Sequence, residues 1–213
     1  TIDTEGDNLW QKHDSITTEN ARYLPRFQQL CEKYGFKPVY LTNYEMAIDP
    51  FYIEFASDVI ARGTAEVGMH LHAWNSPPTE PLTADDWRHK PYLIEYSDAM
   101  MREKVDYMTC LLEDTFQTKM VSHRAGRWAF DERYARLLVE YGYQVDCSVT
   151  PRVNWKTAKG SPQGDGGTDY RRFPQHAYFL DENDISREGH SPLLEVPMSI
   201  QYKHSAWMNS VKQ

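Results

Sequence analysis

Residues 35–72 read GFKPVYLTNYEMAIDPFYIEFASDVIARGTAEVGMHLH. Within them Pro38 to Thr42 is a short apolar run that predicts a strand, Phe51 to Arg62 predicts a helix closed by Gly63, and Glu66 to His72 predicts a second strand. Strand, helix and strand in that order argue for βα units around a mainly parallel sheet or barrel. Upstream, Thr1 to Asp3 reads as the tail of a strand. A helix between Thr18 and Tyr34 is predicted from Leu24, Phe27, Leu30, Cys31 and Tyr34 at helical spacing, with Pro25 in its first turns and Gly35 ending it in a left-handed conformation.

Downstream, residues 74–91 hold four prolines and no consistent period, which predicts a long surface loop of the kind that often carries function. A helix follows, capped by Ser97 and carrying Met101, Val105, Met108, Leu112 and Phe116 on one face; its partner strand is predicted at Met120 to His123. Asp131 caps a further helix whose Tyr134, Leu137, Leu138 and Tyr141 share a face, and Gly142 closes it before a strand at Gln144 to Val149. After Thr150 the chain turns Gly-rich and polar, with one more strand predicted at Leu193 to Met198.

The chain has 213 residues, and at ~150 per domain the economical reading is a single domain spanning 1–213. With 23 Lys plus Arg against 31 Asp plus Glu, the net charge is -8, which offers no basic field to a nucleic-acid backbone or an anionic lipid surface. No stretch approaches the ~18 uninterrupted apolar residues of a membrane span. Cys31, Cys110 and Cys147 are odd in number and widely spaced, so neither a disulfide framework nor a zinc knuckle is suggested and a reducing compartment, the cytoplasm, is expected. The sequence starts at Thr1 and runs straight into an acidic motif, so residues at both ends are expected to lie outside it. Its oligomeric state is not legible.

Three polar clusters carry the candidate chemistry. Asp3, Glu5 and Asp7 alternate in TIDTEGD at the end of the first strand, where βα architectures gather base or metal-ligand carboxylates; the plainer alternative is a solvated strand end with capping duties. His70 and His72 in EVGMHLH project to the same face of an extended strand and can supply two nitrogens to one metal; hydrogen-bonded structural histidines are the alternative. With one carboxylate from the first strand they would complete the set of three protein ligands that catalytic zinc requires. In SHRAGRW, residues 122–128, Arg124 can hold a carboxylate by a bidentate bond and favour its ionised form, and Gly126 allows close approach of backbone to a ligand; a surface salt bridge and a turn glycine are the alternative. Asp146 on the following strand either belongs to this polar shell or ends its strand.

The order and spacing of these clusters resemble the polysaccharide deacetylase family, the NodB-type carbohydrate esterases of family 4. TIDTEG resembles the family's first motif in its Asp-x-Glu form, which makes Asp3 the base and Glu5 a metal ligand. EVGMHLH resembles the second, with His70 as the first metal histidine; the usual second histidine lies four residues on, where this chain has Trp74, so His72 takes that place. SHRAGRW resembles the third, with Arg124 bracing the catalytic Asp and Ala125 in place of the usual proline. LLEVPMS is similar to the late proline-containing strand. The usual general-acid histidine near the last strand has no counterpart, His176, His190 and His204 being poor matches.

The resemblance implies a distorted (β/α) barrel of about seven strands. It also implies one divalent metal ion, zinc by preference, and removal of an acyl group, acetyl by expectation, from an N-acylated sugar in surface-polysaccharide biosynthesis. Trp74 and Trp128 would wall the sugar site, core or hydrophobic-rim packing being the alternative for either, with Gly126, Arg127 and Asp146 nearby and a backbone N–H near Gly126 or Arg127 facing the oxyanion. Two alternatives stay open: an amino-sugar deformylase, and a catalytically silent carbohydrate-binding protein on the same barrel.

Overall fold

A computed structural model describes residues 1–11 and 15–201. Its strands are β1 (Ile2–Thr4), β2 (Val39–Thr42), β3 (Glu66–Leu71), β4 (Ser122–Ala125), β5 (Val145–Asp146), β6 (Tyr178–Asp181), β7 (Asp184–Glu188) and β8 (Leu194–Glu195). They form one open sheet in the order β1-β2-β3-β4-β5-β8-β6-β7. The first six in that order are parallel, and β6 and β7 add an antiparallel hairpin at the β8 side. This is the distorted β/α barrel the sequence predicts, with eight strands in place of about seven because the hairpin joins the sheet.

The helices are α1 (Leu24–Lys33), α2 (Tyr44–Ala47), α3 (Pro50–Ala61), α4 (Asp86–His89), α5 (Asp98–Phe116) and α6 (Glu132–Glu140). Their starts follow from local chemistry. Asp49, Ser97 and Asp131 accept hydrogen bonds from the backbone N–H of Tyr52, Met100 and Tyr134, groups that a helix start leaves without a partner. Pro25 and Pro50 stand in the first turns of α1 and α3, where a missing N–H costs nothing. Gly35 follows α1 at φ +72°, as its expected left-handed end requires.

Met101, Val105, Met108, Leu112 and Phe116 of α5 are all buried, as are Tyr134, Leu137 and Leu138 of α6. The expected core face of α1 is different. Phe27, Leu30 and Tyr34 are exposed, and the helix buries Cys31 and Gln28 instead. The Gln28 amide accepts from the Tyr40 hydroxyl at 2.8 Å and donates to the Thr64 carbonyl at 3.2 Å, so a polar contact holds α1 to the sheet.

Strand boundaries move where the barrel interior is polar. The fourth strand lies at Ser122–Ala125, two residues beyond the predicted Met120 to His123, and every residue of it is buried. The predicted strands at Gln144 to Val149 and Leu193 to Met198 shrink to two residues each. The segment over residues 74–91 is less of a surface loop than predicted: Trp74, Asn75 and Ser76 are buried, α4 interrupts it, and Lys104 of α5 ties it to the core. That ammonium is buried, donates to the carbonyls of Ser76 at 2.8 Å and Pro78 at 2.6 Å, and is pushed by burial down to about 8.

Candidate metal centre

The parallel register fixes which side chains meet. Asp3 of β1 stands beside Leu41, Leu41 beside Gly68, and His70 of β3 beside Arg124 of β4. Gly68 is needed where β3 passes β4, because a Cβ there would lie 2.6 Å from the Ser122 carbonyl oxygen. Just past the carboxyl ends of β1 and β3, Glu5 and His72 reach the same point in space.

Glu5 Oε2 lies 2.8 Å from His72 Nε2 and 3.5 Å from His70 Nε2. The ligand atoms of Glu5, His70 and His72 all fall within 4.8 Å of one another, the one such set of three among the described residues. His70 Nδ1 donates to the Arg124 carbonyl at 2.9 Å, which fixes the neutral tautomer and turns Nε2 toward Glu5, as a lone pair in the neutral ring and as a donor when the ring is protonated. His72 Nδ1 is buried without a partner. A donor set of two imidazoles and one carboxylate, one imidazole already oriented from behind, fits a divalent ion of the zinc type.

Burial opposes the charge on Glu5, but hydrogen bonds to His70 and His72 outweigh it and hold the carboxyl well below the usual carboxylate range. The two histidines divide. Burial pushes His72 down to about 4 despite Glu5, whereas for His70 the hydrogen bond to Glu5 and the charge of Asp3 overcome burial and raise it. The cluster therefore holds a carboxylate, one neutral imidazole and one imidazole that takes the proton first.

Arg124 Nη1 forms an ion pair with Asp3 Oδ1. The contact uses one nitrogen rather than the expected two-pronged fork; Nε donates to the Cys147 carbonyl at 3.0 Å and Nη2 to the Thr1 hydroxyl. The guanidinium also lies 4.9 Å from the centre of the Trp128 ring. Asp3, Glu5, His70 and His72 face a cavity of about 230 Å³ whose other walls are Trp10, Tyr92, Arg127, Trp128, Trp155 and Ala158. A larger cleft of about 550 Å³ lies beside the Gly-rich segment 163–169 and contains none of this donor set.

Several predicted site residues are placed otherwise. Trp74 is buried and does not wall the cavity; its ring packs 4.4 Å behind His72 because β3 ends at Leu71 and the chain turns inward. Gly126 also lies behind the cluster, where a Cβ would sit 2.6 Å from His72 Nδ1. Asp146 is fully buried beneath Arg124 and out of reach of any substrate, accepting from His123 Nδ1 at 2.6 Å and from the Ser148 hydroxyl at 2.8 Å. Trp128 does line the cavity. So does Arg127, at φ +55°, but its guanidinium is committed to the carbonyls of Lys90 and Lys159 and lies over Tyr92 at 4.0 Å. Of the weak candidates for a general acid, His176 pairs with Glu188 on the hairpin and His190 is exposed, neither lining the cavity; His204 lies outside the described residues.

Sequence reading misses Trp10, Tyr92 and Trp155. Trp155 comes from the segment after Thr150 whose composition signals only a loop, and its indole is steered by the Thr150 hydroxyl at 2.8 Å. Trp10 follows the acidic motif by a few residues, and no spacing rule links it to Glu5.

No family model matches the sequence, and no curated protein matches it. Among solved structures, the chain is similar to a candidate polysaccharide deacetylase from Mycobacterium smegmatis, with a TM-score of 0.52 and 18% identity over 83% of this chain and 45% of that one. It is also similar to BA3943, a CE4 family pseudoenzyme from Bacillus anthracis (TM-score 0.45, 14% identity, 64% of this chain and 42% of that one). A third is IcaB from Ammonifex degensii (TM-score 0.45, 12% identity, 88% and 66%). The chain thus spans less than half of the first neighbour's length. Its fold is that of the NodB-type polysaccharide deacetylases.

Proposed function

We propose that this chain removes an acyl group, acetyl by preference, from an N-acylated sugar by metal-assisted hydrolysis. The observation that carries the reading is the meeting of Glu5, His70 and His72 on one point, next to the Asp3–Arg124 pair and inside an aromatic cavity. Glu5, His70 and His72 would hold the ion. A divalent ion such as zinc supplies Lewis acidity toward an amide carbonyl and makes hydroxide available near neutral pH.

The remaining work falls to the chain. Asp3, at the cavity wall, accepts the proton of the attacking water, and Arg124 keeps that carboxylate turned toward it. Trp128 and Trp155 offer flat apolar faces to a sugar ring and exclude bulk water. At about 230 Å³ the cavity is below the ~300–1,000 Å³ of sites for larger ligands, which suits one sugar residue with a small acyl group. The non-enzymatic reading, a sugar-binding barrel without turnover, draws on one observation: among the described residues no histidine except His70 and His72 lines the cavity.

The test is metal content and acyl release measured together. Protein purified without chelator or metal-affinity tag is expected to carry about one metal per chain, to lose it in the Glu5→Ala, His70→Ala double variant, and to release acetate or formate from N-acyl sugars. Asp3→Asn is expected to keep the metal while turnover falls about 100-fold or more. Normal turnover in Asp3→Asn removes Asp3 as base, and metal without turnover on any N-acyl sugar moves the sugar-binding reading to first place.

A further inference from the structure

Trp10 is about half exposed (48%), yet its indole N–H is not left to water. It donates to Glu5 Oε1 at 2.6 Å. The other oxygen, Oε2, is the one that faces His72 and His70. The same indole meets the His72 ring edge-on at 5.1 Å and the Trp74 ring at 5.3 Å, so it spans both the carboxylate and one imidazole of the cluster.

A glutamate holds its carboxylate on three rotatable bonds, and freezing such a side chain costs rotamer entropy. Here the peptide that follows Glu5 is already pinned at both its carbonyl and its N–H. The Asn20 amide donates to the Glu5 carbonyl at 2.8 Å, and the Gly6 N–H donates to Glu45 Oε1 at 2.6 Å. What backbone pinning cannot do is stop the carboxylate head group from rotating away from the histidines. Among the described residues, the Trp10 N–H is the hydrogen-bond donor on Oε1.

We propose that Trp10 is a positioning residue of the metal centre, its indole N–H taking Glu5 Oε1 so that Oε2 alone is presented beside His70 and His72. The proposal rests on the reading that these three side chains hold a metal ion. A hydrogen bond behind a ligating carboxylate acts as the bonds behind ligating histidines do, and losing one typically weakens metal binding about 10–100-fold.

The experiment titrates zinc against a competing chromophoric chelator in the metal-free parent, Trp10→Phe, Trp10→His and Trp10→Ala, each also in a Glu5→Ala background, and records the visible spectrum of the cobalt form. Trp10→Phe keeps the ring against His72 and removes the N–H; it is expected to bind zinc about 10-fold or more weakly and to shift the cobalt bands, with the thermal midpoint of the metal-free protein unchanged. Trp10→His, which can restore a ring N–H, is expected to recover part of the loss. In the Glu5→Ala background the Trp10 substitutions are expected to add nothing. Zinc binding by the parent with an unchanged constant and spectrum in Trp10→Phe overturns the role of Trp10 and leaves the metal reading intact. An effect seen in Trp10→Ala but not in Trp10→Phe assigns the ring and overturns the hydrogen bond. No zinc binding by the parent overturns the metal reading and this proposal with it.

Discussion

Past the end of β3, His72 lies 2.8 Å from Glu5; one strand away, on β4, His123 lies 2.6 Å from Asp146. The two contacts have the same chemistry and nearly the same length, and they differ in what remains unspent. Within the β4 pair itself nothing does, and the unpaired atom beside it, Glu195 Oε2, is fully buried rather than open to a cavity. His123 Nε2 accepts from the Tyr134 hydroxyl at 2.7 Å, Asp146 also accepts the Ser148 hydroxyl and N–H, and no member of the histidine–aspartate pair is exposed. In the β3 cluster two imidazole nitrogens crowd one carboxylate oxygen, His72 Nδ1 has no partner, and the Glu5 side chain opens to the cavity at 20% exposure. A saturated polar cluster builds architecture, and an oversupplied one at a cavity can take a ligand.

The largest expected effect tests the sealed side. Asp146→Ala leaves a buried neutral histidine and a buried serine without their acceptor, each at about 1–3 kcal/mol, so it is expected to cost about 3 kcal/mol or more in denaturant unfolding. Glu5→Ala in metal-free protein is expected to cost less than about 2 kcal/mol, because water can enter through the cavity and replace the lost acceptor. Asp146 also supports the site from below: it accepts from the Ser148 hydroxyl, which in turn accepts the Ala125 N–H at 2.8 Å next to Arg124. The reverse order of the two costs would mean that the β3 cluster is the structural one.

Much of this contrast is legible in the sequence, and part of it is not. Asp3, Glu5, His70, His72 and Arg124 are readable because alternation in a strand and the gathering of site residues at strand ends are local rules, and the structure brings these five together. Sidedness beyond a strand end is not local. Trp74 and His72 would share a face if β3 continued, but the strand stops at Leu71 and Trp74 goes under the site. Asp146 lies inside the sheet for a related reason: barrel interiors accept polar side chains that pair with each other, and a polar strand residue looks the same whether it faces substrate or His123. β4 starts two residues later than the apolar run implies because Ser122, His123 and Arg124 are buried strand residues that do not look apolar. The hairpin has only a faint signal in the sequence. Tyr178, Leu180 and Ile185 are buried around a two-residue Glu182–Asn183 turn, a pattern that the surrounding polar composition obscures.

A middle-sized effect comes from pH. Burial holds His72 at about 4 and lowers His123 as well, whereas both take a proton near 6.5 once unfolded. Groups lowered in the folded state add stability that is present above pH 6.5 and is lost as pH falls toward their folded values. His70 is raised, so its contribution is complete below pH 6.5 and drains away only at higher pH; it adds no slope in the acid window. Metal-free protein is therefore expected to lose about 2 kcal/mol between pH 6.5 and 5 from His72, with a further loss from His123. Burial raises Glu45 and Glu195, whose contribution to stability grows as pH falls and offsets part of this loss. Urea unfolding of parent and His72→Asn at both pH values therefore isolates the His72 share as the difference between the two proteins, and an equal change in both would mean that His72 is not buried in its neutral form.

A third histidine–carboxylate contact supplies the limit of the comparison. His176 Nε2 lies 2.8 Å from Glu188 Oε1, the same distance as His72 from Glu5, but the two side chains are 68% and 66% exposed. The contact ties the segment before β6 to the end of β7, where both partners already have water as an alternative and salt screens their charges. Distance alone would rank it with the Glu5 contact; desolvation ranks it last, because a hydrogen bond gains most where its loss leaves a group without any partner. His176→Ala is accordingly expected to cost less than about 1 kcal/mol. In a chain of this size that corresponds to a shift of no more than about 2–4 °C in thermal midpoint, and zinc affinity is expected to stay unchanged because the hairpin lies away from the cavity. A loss as large as that of Asp146→Ala would mean that the hairpin contact is an anchor of the barrel, and that exposure is a poor guide to which polar pairs this fold depends on.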